Sequence, residues 1–195
     1  MRVVLAVLAL ASCSAALTSC SAGDGVPGSA SGSVSGSSPI PASAPADPIP
    51  PVRNPRNLTA IQPCLLVTSA QLDTNGIDQP GQPKDVLGLT GCEWSDSAHT
   101  RQFAAFADLG NDVLRNVYNQ RNEIPVLEVT KVGGLPAIRT KDDVDGASCY
   151  FRVATAEMQT LIVRFTSLRP GRADPCAPAK AFTETIVSNL PPLDG

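Results

Sequence analysis

Six cysteines constrain this chain more than any other feature, because they fall into two groups with different chemistry. Cys13 and Cys20 lie in or just behind an apolar N-terminal stretch, whereas Cys64, Cys92, Cys149 and Cys176 are spread along the rest of the sequence. None of the latter four has C-x-x-C spacing, and the chain holds a single histidine, His99, so a metal site is poorly supported and no cofactor is expected. In an exported chain an even set of cysteines reads as disulfides, and four allow three pairings. We expect Cys64 with Cys92 and Cys149 with Cys176. Each loop then encloses a little under thirty residues and contributes about 3.5 kcal/mol through loop-closure entropy. The sequence alone leaves the crossed pairings open.

Export is read from the first residues. Met1 and Arg2 form a minimal positive region, and the apolar run from Val3 is interrupted by Ser12, Ser14, Thr18 and Ser19. A membrane-spanning helix needs about 20 strongly apolar residues, so the stretch is expected to be a signal and not a span. Both "LASC" (10–13) and "LTSC" (17–20) resemble the bacterial lipobox, in which the cysteine is diacylated and becomes the mature N-terminus. Cutting before Cys13 would leave an apolar region near the lower limit of about 7 residues, so Cys20 is the expected lipidation site. Two acyl chains are what stable anchoring requires. The expected location is the extracytoplasmic face of a cell membrane. Removal of the signal takes away Arg2, one of 15 basic residues set against 18 acidic ones, so the mature chain is more acidic than the formal −3 of the whole. That balance argues against nucleic acid as a partner.

Residues 1–19 are thus expected to be the signal, and 20–53 a lipidated cysteine followed by a disordered spacer of Ser, Gly, Ala and Pro. Such a spacer reaches on the order of 30 Å or more. Residues 54–195 are expected to fold as one domain, long enough to bury a core.

Periodicity supplies the elements. "TSAQLDTNG" (68–76) predicts a capped short helix stopped by Asn-Gly. "DVLGLTGCEWS" (85–95) and "RQFAAFADL" (101–109) predict two strands joined by the turn "DSAHT". Val113, Leu114, Val117 and Tyr118 recur at helical spacing within 111–124. Strands are predicted at 126–132 and 135–141 around Gly133-Gly134, and at 147–155 and 159–167, the last two pairing antiparallel. Asp174, Pro175 and the stripe Ala179, Phe182, Ile186 and Leu190 predict a C-terminal helix packed on the sheet. Helix, two strands, helix, four strands, helix implies an α+β fold with a mainly antiparallel sheet.

Several segments in order, "PCLLVTSAQLDTNGI" (63–77), "GCEWS" (91–95), "GLPAI" (134–138), "CYFRVAT" (149–155) and "DPC" (174–176) with a terminal helix ending "NLPP", resemble a family of actinobacterial lipoproteins that carry a domain of unknown function. The resemblance runs over most of 63–192. It implies a sheet-and-helix sandwich of the PsbP-like kind with disulfides formed from these cysteines, and it brings no catalytic residues.

Chemistry is sparse. Ser95, Asp96 and His99 supply the residue types of a hydrolase, but all within one turn, whereas triad members in known folds come from separate elements. Asp142, Asp143 and Asp145 lack the spaced series and terminal glutamate of a calcium loop. Arg152 and Arg164 lie opposite the apolar positions of their strands and form a candidate anion site if the strands pair. Trp94 shares the face of Cys92 and is either core or a ligand platform. The leading expectation is a non-enzymatic, membrane-anchored envelope lipoprotein that binds a protein partner or a small or lipidic ligand. The alternatives are an envelope hydrolase using Ser95, Asp96 and His99, and a structural accessory subunit of an envelope complex.

Overall fold

The computed structural model describes residues 47–169 and 174–193, so Cys20, the signal and most of the spacer lie outside the described residues. Seven antiparallel strands form one sheet: β1 (Gln82–Val86), β2 (Leu89–Ser95), β3 (Arg101–Leu109), β4 (Val126–Val132), β5 (Leu135–Lys141), β6 (Ser148–Ala156) and β7 (Gln159–Ser167). Their order is β1-β2-β3-β7-β6-β5-β4. Two meanders, β1 to β3 and β4 to β7, are therefore joined in the middle, where Phe103 faces Phe165 and Ala105 faces Val163. Helix α1 (Ser69–Thr74) precedes the sheet, α2 (Val113–Asn119) carries the chain from its centre to the β4 edge, and α3 (Cys176–Asn189) closes the fold.

Alternation along the strands sets two unlike faces. On one, Trp94, Phe103, Phe165 and Cys149 form a continuous cross-strand row. Helix α3 packs its Ala179, Phe182, Ile186 stripe on that row, with Phe182 stacked 4.2 Å from Phe103 and edge-on to Trp94 at 5.5 Å. Asp174 Oδ1 accepts the Cys176 N–H at 3.1 Å just ahead of α3, whose N-cap position is Pro175 and not the expected Asp174. Both disulfides have the expected pairing, Cys64 with Cys92 and Cys149 with Cys176. Each fastens a helical segment onto this same face: Cys64 lies in a 3-10 turn (Pro63–Leu65), and Cys176 opens α3.

On the opposite face α2 buries Leu114 against Ile138, helped by Val117 and Tyr118. Strand β5, covered from both sides, is buried at all but two positions. The α1 N-cap forms both halves of a capping box, Thr68 with Gln71.

Three expectations differ from what is observed. Residues 85–95 are not one strand but most of a hairpin, β1 and β2, reversed by Leu87 (φ 51°) and Gly88 (φ 82°). A two-residue turn with both φ positive ordinarily carries Asn-Gly, and leucine at its first position hides it from sequence. The folded unit also reaches back to Asp47, into residues expected to belong to the spacer. Ile49 is only 9% exposed and packs with Leu114 and Ile138. The helix expected over 111–124 is regular only from Val113 to Asn119, and Gln120 to Glu123 continue as tight turns.

Candidate functional site

Residues Asp47 to Pro55, "DPIPPVRNP", make a strap. Prolines 48, 50, 51 and 55 hold the segment extended and remove backbone donors, so it lies across the domain without joining the sheet. It passes from the α2 face, where Ile49 is anchored, past the end of β6, where the Arg56 N–H donates to the Thr155 carbonyl at 2.6 Å. Beyond that point Leu58 is buried on the α3 face.

Asp47 fixes the start of the strap. Its Oδ1 accepts the Ile49 N–H at 3.0 Å, and its Oδ2 accepts from Arg115 Nη2 at 2.7 Å. The backbone N–H of Ile49 first, and then Arg115, hold the Asp47 carboxyl below its ordinary range. Arg115 also donates from Nε to Asp112 Oδ2 at 2.9 Å, while Asp112 Oδ1 caps α2 by accepting the Arg115 N–H. One guanidinium thus links the strap to the first turn of α2.

Between strap, α2 and the β6–β7 hairpin lies a cleft of about 630 Å³. Its walls are mostly apolar: Ile49 to Val52, Leu114, Ala154, Ala156 and Met158. The room exists because β6 ends in Ala154 and Ala156, whereas earlier on the face of Ala154 it carries the larger Tyr150 and Arg152. Asp47, Asp112 and Glu157 outnumber Arg115 among its charged lining residues. Apolar walls with a few convergent polar groups are the usual make-up of a small-molecule site, and the volume is within the common range of roughly 300–1,000 Å³. Sequence reasoning missed this site, since a proline-rich run reads as spacer; the signal that could have found it is Ile49 set between prolines, with Asp47 two residues before it.

Arg152 and Arg164 do share a face, as their strand phase requires. Arg164 stands directly opposite Tyr150, and Arg152 is two residues further along β6. They hold different partners. Arg164 Nη2 donates to Gln102 Oε1 at 3.1 Å and lies 3.4 Å from Glu93 Oε2, with its Nε buried and unbonded. Arg152 Nη1 donates to Thr140 Oγ1 at 2.7 Å, and the guanidinium lies 5.3 Å from the Tyr150 ring centre. Burial pushes the Arg152 guanidinium down and the Tyr150 hydroxyl up, the latter reinforced by Asp142. Arg152 forms no salt bridge among the described residues, so the pair is one compensated cation beside one that is only hydrogen-bonded.

Trp94 is 1% exposed and wedged beside Phe182, which makes it a core residue and corrects its candidacy as a ligand platform. Asp96 organises the β2–β3 turn: its Oδ1 accepts from the Thr100 and Arg101 N–H groups and its Oδ2 from the Thr100 hydroxyl. Burial raises its carboxyl, but those bonds outweigh it and the net shift is downward. His99 is exposed at φ 49°, and its imidazole bonds neither Ser95 nor Asp96 among the described residues. Ser97 is bound to Asp78 through both N–H and hydroxyl. Asp143 accepts the Asp145 N–H within its own turn. No group of three or more His, Cys, Asp or Glu side chains among the described residues is placed to hold a metal ion.

No curated protein and no solved structure matches the chain. A family model does match, over residues 8–189, and the chain belongs to the family described as a protein of unknown function (DUF3558).

Proposed function

We propose that this protein is a membrane-anchored envelope lipoprotein, held through Cys20, that binds a small apolar or lipidic ligand in the cleft under the strap and performs no chemistry on it. The observation that carries the reading is the cleft itself, about 630 Å³ with walls of Ile49, Pro50, Leu114, Ala154 and Met158. Buried apolar ligand surface contributes roughly 25 cal/mol per Å², enough to hold a ligand of that size without a charged anchor. The lipobox-like "LTSC" and the spacer behind it support the anchoring half.

Native mass spectrometry on the full chain purified from its own envelope tests both halves. The expected spectrum starts at Cys20 with two acyl chains and carries an additional noncovalent ligand mass. Ala154→Phe, which fills the cleft from the β6 wall, is expected to keep the acyl chains and lose the ligand. An unmodified Cys20 removes the anchor, and an Ala154→Phe protein that still carries the ligand removes the cleft.

A further inference from the structure

Two exposed apolar residues stand in backbone conformations that disfavour them. Leu87 at the β1–β2 turn is 99% exposed at φ 51°, and Met158 at the β6–β7 turn is 47% exposed at φ 55°. Left-handed φ costs free energy for any residue with a Cβ, and turns of this kind ordinarily take Asn or Gly. Neither side chain returns that cost to the core, and such strain at an exposed position points to function.

The sheet register puts both at one end of the molecule. Gly91 of β2 faces Phe106 of β3, so the β1–β2 turn extends to the level where β3 ends at Leu109, itself 51% exposed. Leu109 faces Gln159, and the Gly110 N–H donates to the Met158 carbonyl at 2.8 Å. Leu87, Leu109 and Met158 therefore form a row across adjacent strand ends, spanning about 14 Å at a strand spacing of roughly 4.8 Å. That is between two and three turns of an α-helix. The charged residues near the row are Asp85, Asp108, Asp112 and Glu157 against Lys84 and Arg115, the last already paired with Asp112, which leaves an acidic excess.

We propose that this end of the sheet docks a basic amphipathic helix of a partner protein, its apolar stripe on Leu87, Leu109 and Met158 and its Lys or Arg flanks on the surrounding carboxylates. An acidic rim disfavours an anionic lipid surface and a second copy of the same end, and favours a basic partner. Met158, Asp112 and Glu157 also line the cleft, whereas Leu87 and Leu109 lie outside it, so the surface adjoins the ligand site and extends away from it.

The probe is a dye-labelled 14-residue helical peptide with leucines at helical spacing and lysines elsewhere, titrated against the full chain by fluorescence anisotropy. Wild type is expected to bind it and to ignore the same peptide with glutamate for lysine. Leu87→Asn is expected to weaken binding at least tenfold while raising the unfolding temperature, since asparagine tolerates positive φ. It leaves the charge unchanged, so simple electrostatic adsorption would not respond to it. Leu109→Thr should weaken binding as well, and Ala154→Phe should leave it intact. Equal affinity of Leu87→Asn and wild type, no binding by wild type, or binding of the glutamate peptide overturns the proposal. So does association with phosphatidylcholine vesicles that depends on Leu87, which would make the row a lipid contact.

Discussion

Gly81 has neighbours that leave no space for a side chain. A Cβ there would lie 2.4 Å from Trp94 Nε1 and 2.5 Å from Cys92 Sγ. Neither neighbour has room to retreat, because Trp94 is wedged on Phe182 and Cys92 is tied to Cys64. Gly81→Ala is therefore expected to lower the unfolding free energy by about 1–3 kcal/mol in a denaturant titration with unchanged slope. A change under about 0.5 kcal/mol would mean the close approach is absent in solution. Such contacts are invisible in sequence, since Gly81 and Trp94 meet only after β2 has turned back on β1. The phase of Arg152 and Arg164 was legible because strand alternation is a local rule. Their partners were not, since Thr140, Gln102 and Glu93 come from three other strands.

Among elements, the strap shows how composition can mislead. A run of prolines predicts an unpaired segment, and unpaired it is, but one isoleucine and one aspartate suffice to seat it. Its hold is pH-dependent with a definite sign. The Asp47 carboxyl is lowered in the folded state, so its contribution is present above the unfolded value of about 3.9 and is lost as pH falls through the still lower folded value. The Ile49 methyl resonances are therefore expected to stay constant from pH 7 to 5 and to shift only below the ordinary aspartate range. Asp47→Asn should abolish that transition while the β3 and β7 resonances stay put. An Ile49 transition near neutral pH would contradict the assignment of the latch to Asp47. The β1–β2 hairpin is the opposite case, a regular element concealed by one leucine at its turn.

For the molecule as a whole, the fold class was legible from periodicity. The disulfides have the expected pairing although the sequence left the crossed ones open, because spacing alone does not say which cysteines the folded sheet brings together. The strand order was not legible. Hairpins identify sequential neighbours, but the pairing of β3 with β7 depends on α2 carrying the chain to the far edge. Replacing Cys149 and Cys176 together by alanine is expected to cost about 2–5 kcal/mol of unfolding free energy, read from urea denaturation. A loss well under 1 kcal/mol would show that the α3 stripe holds the helix without the crosslink. The strap has one more consequence, a mechanical one. Tension transmitted along the N-terminal chain reaches the folded unit at Asp47 and is borne first by the Arg115 pair and Ile49, before any strand of the sheet. Those contacts peel in series, whereas the crosslinked face behind them would have to shear. Force applied to the chain at Asp47 is thus expected to unroof the cleft while the rest of the domain keeps its shape.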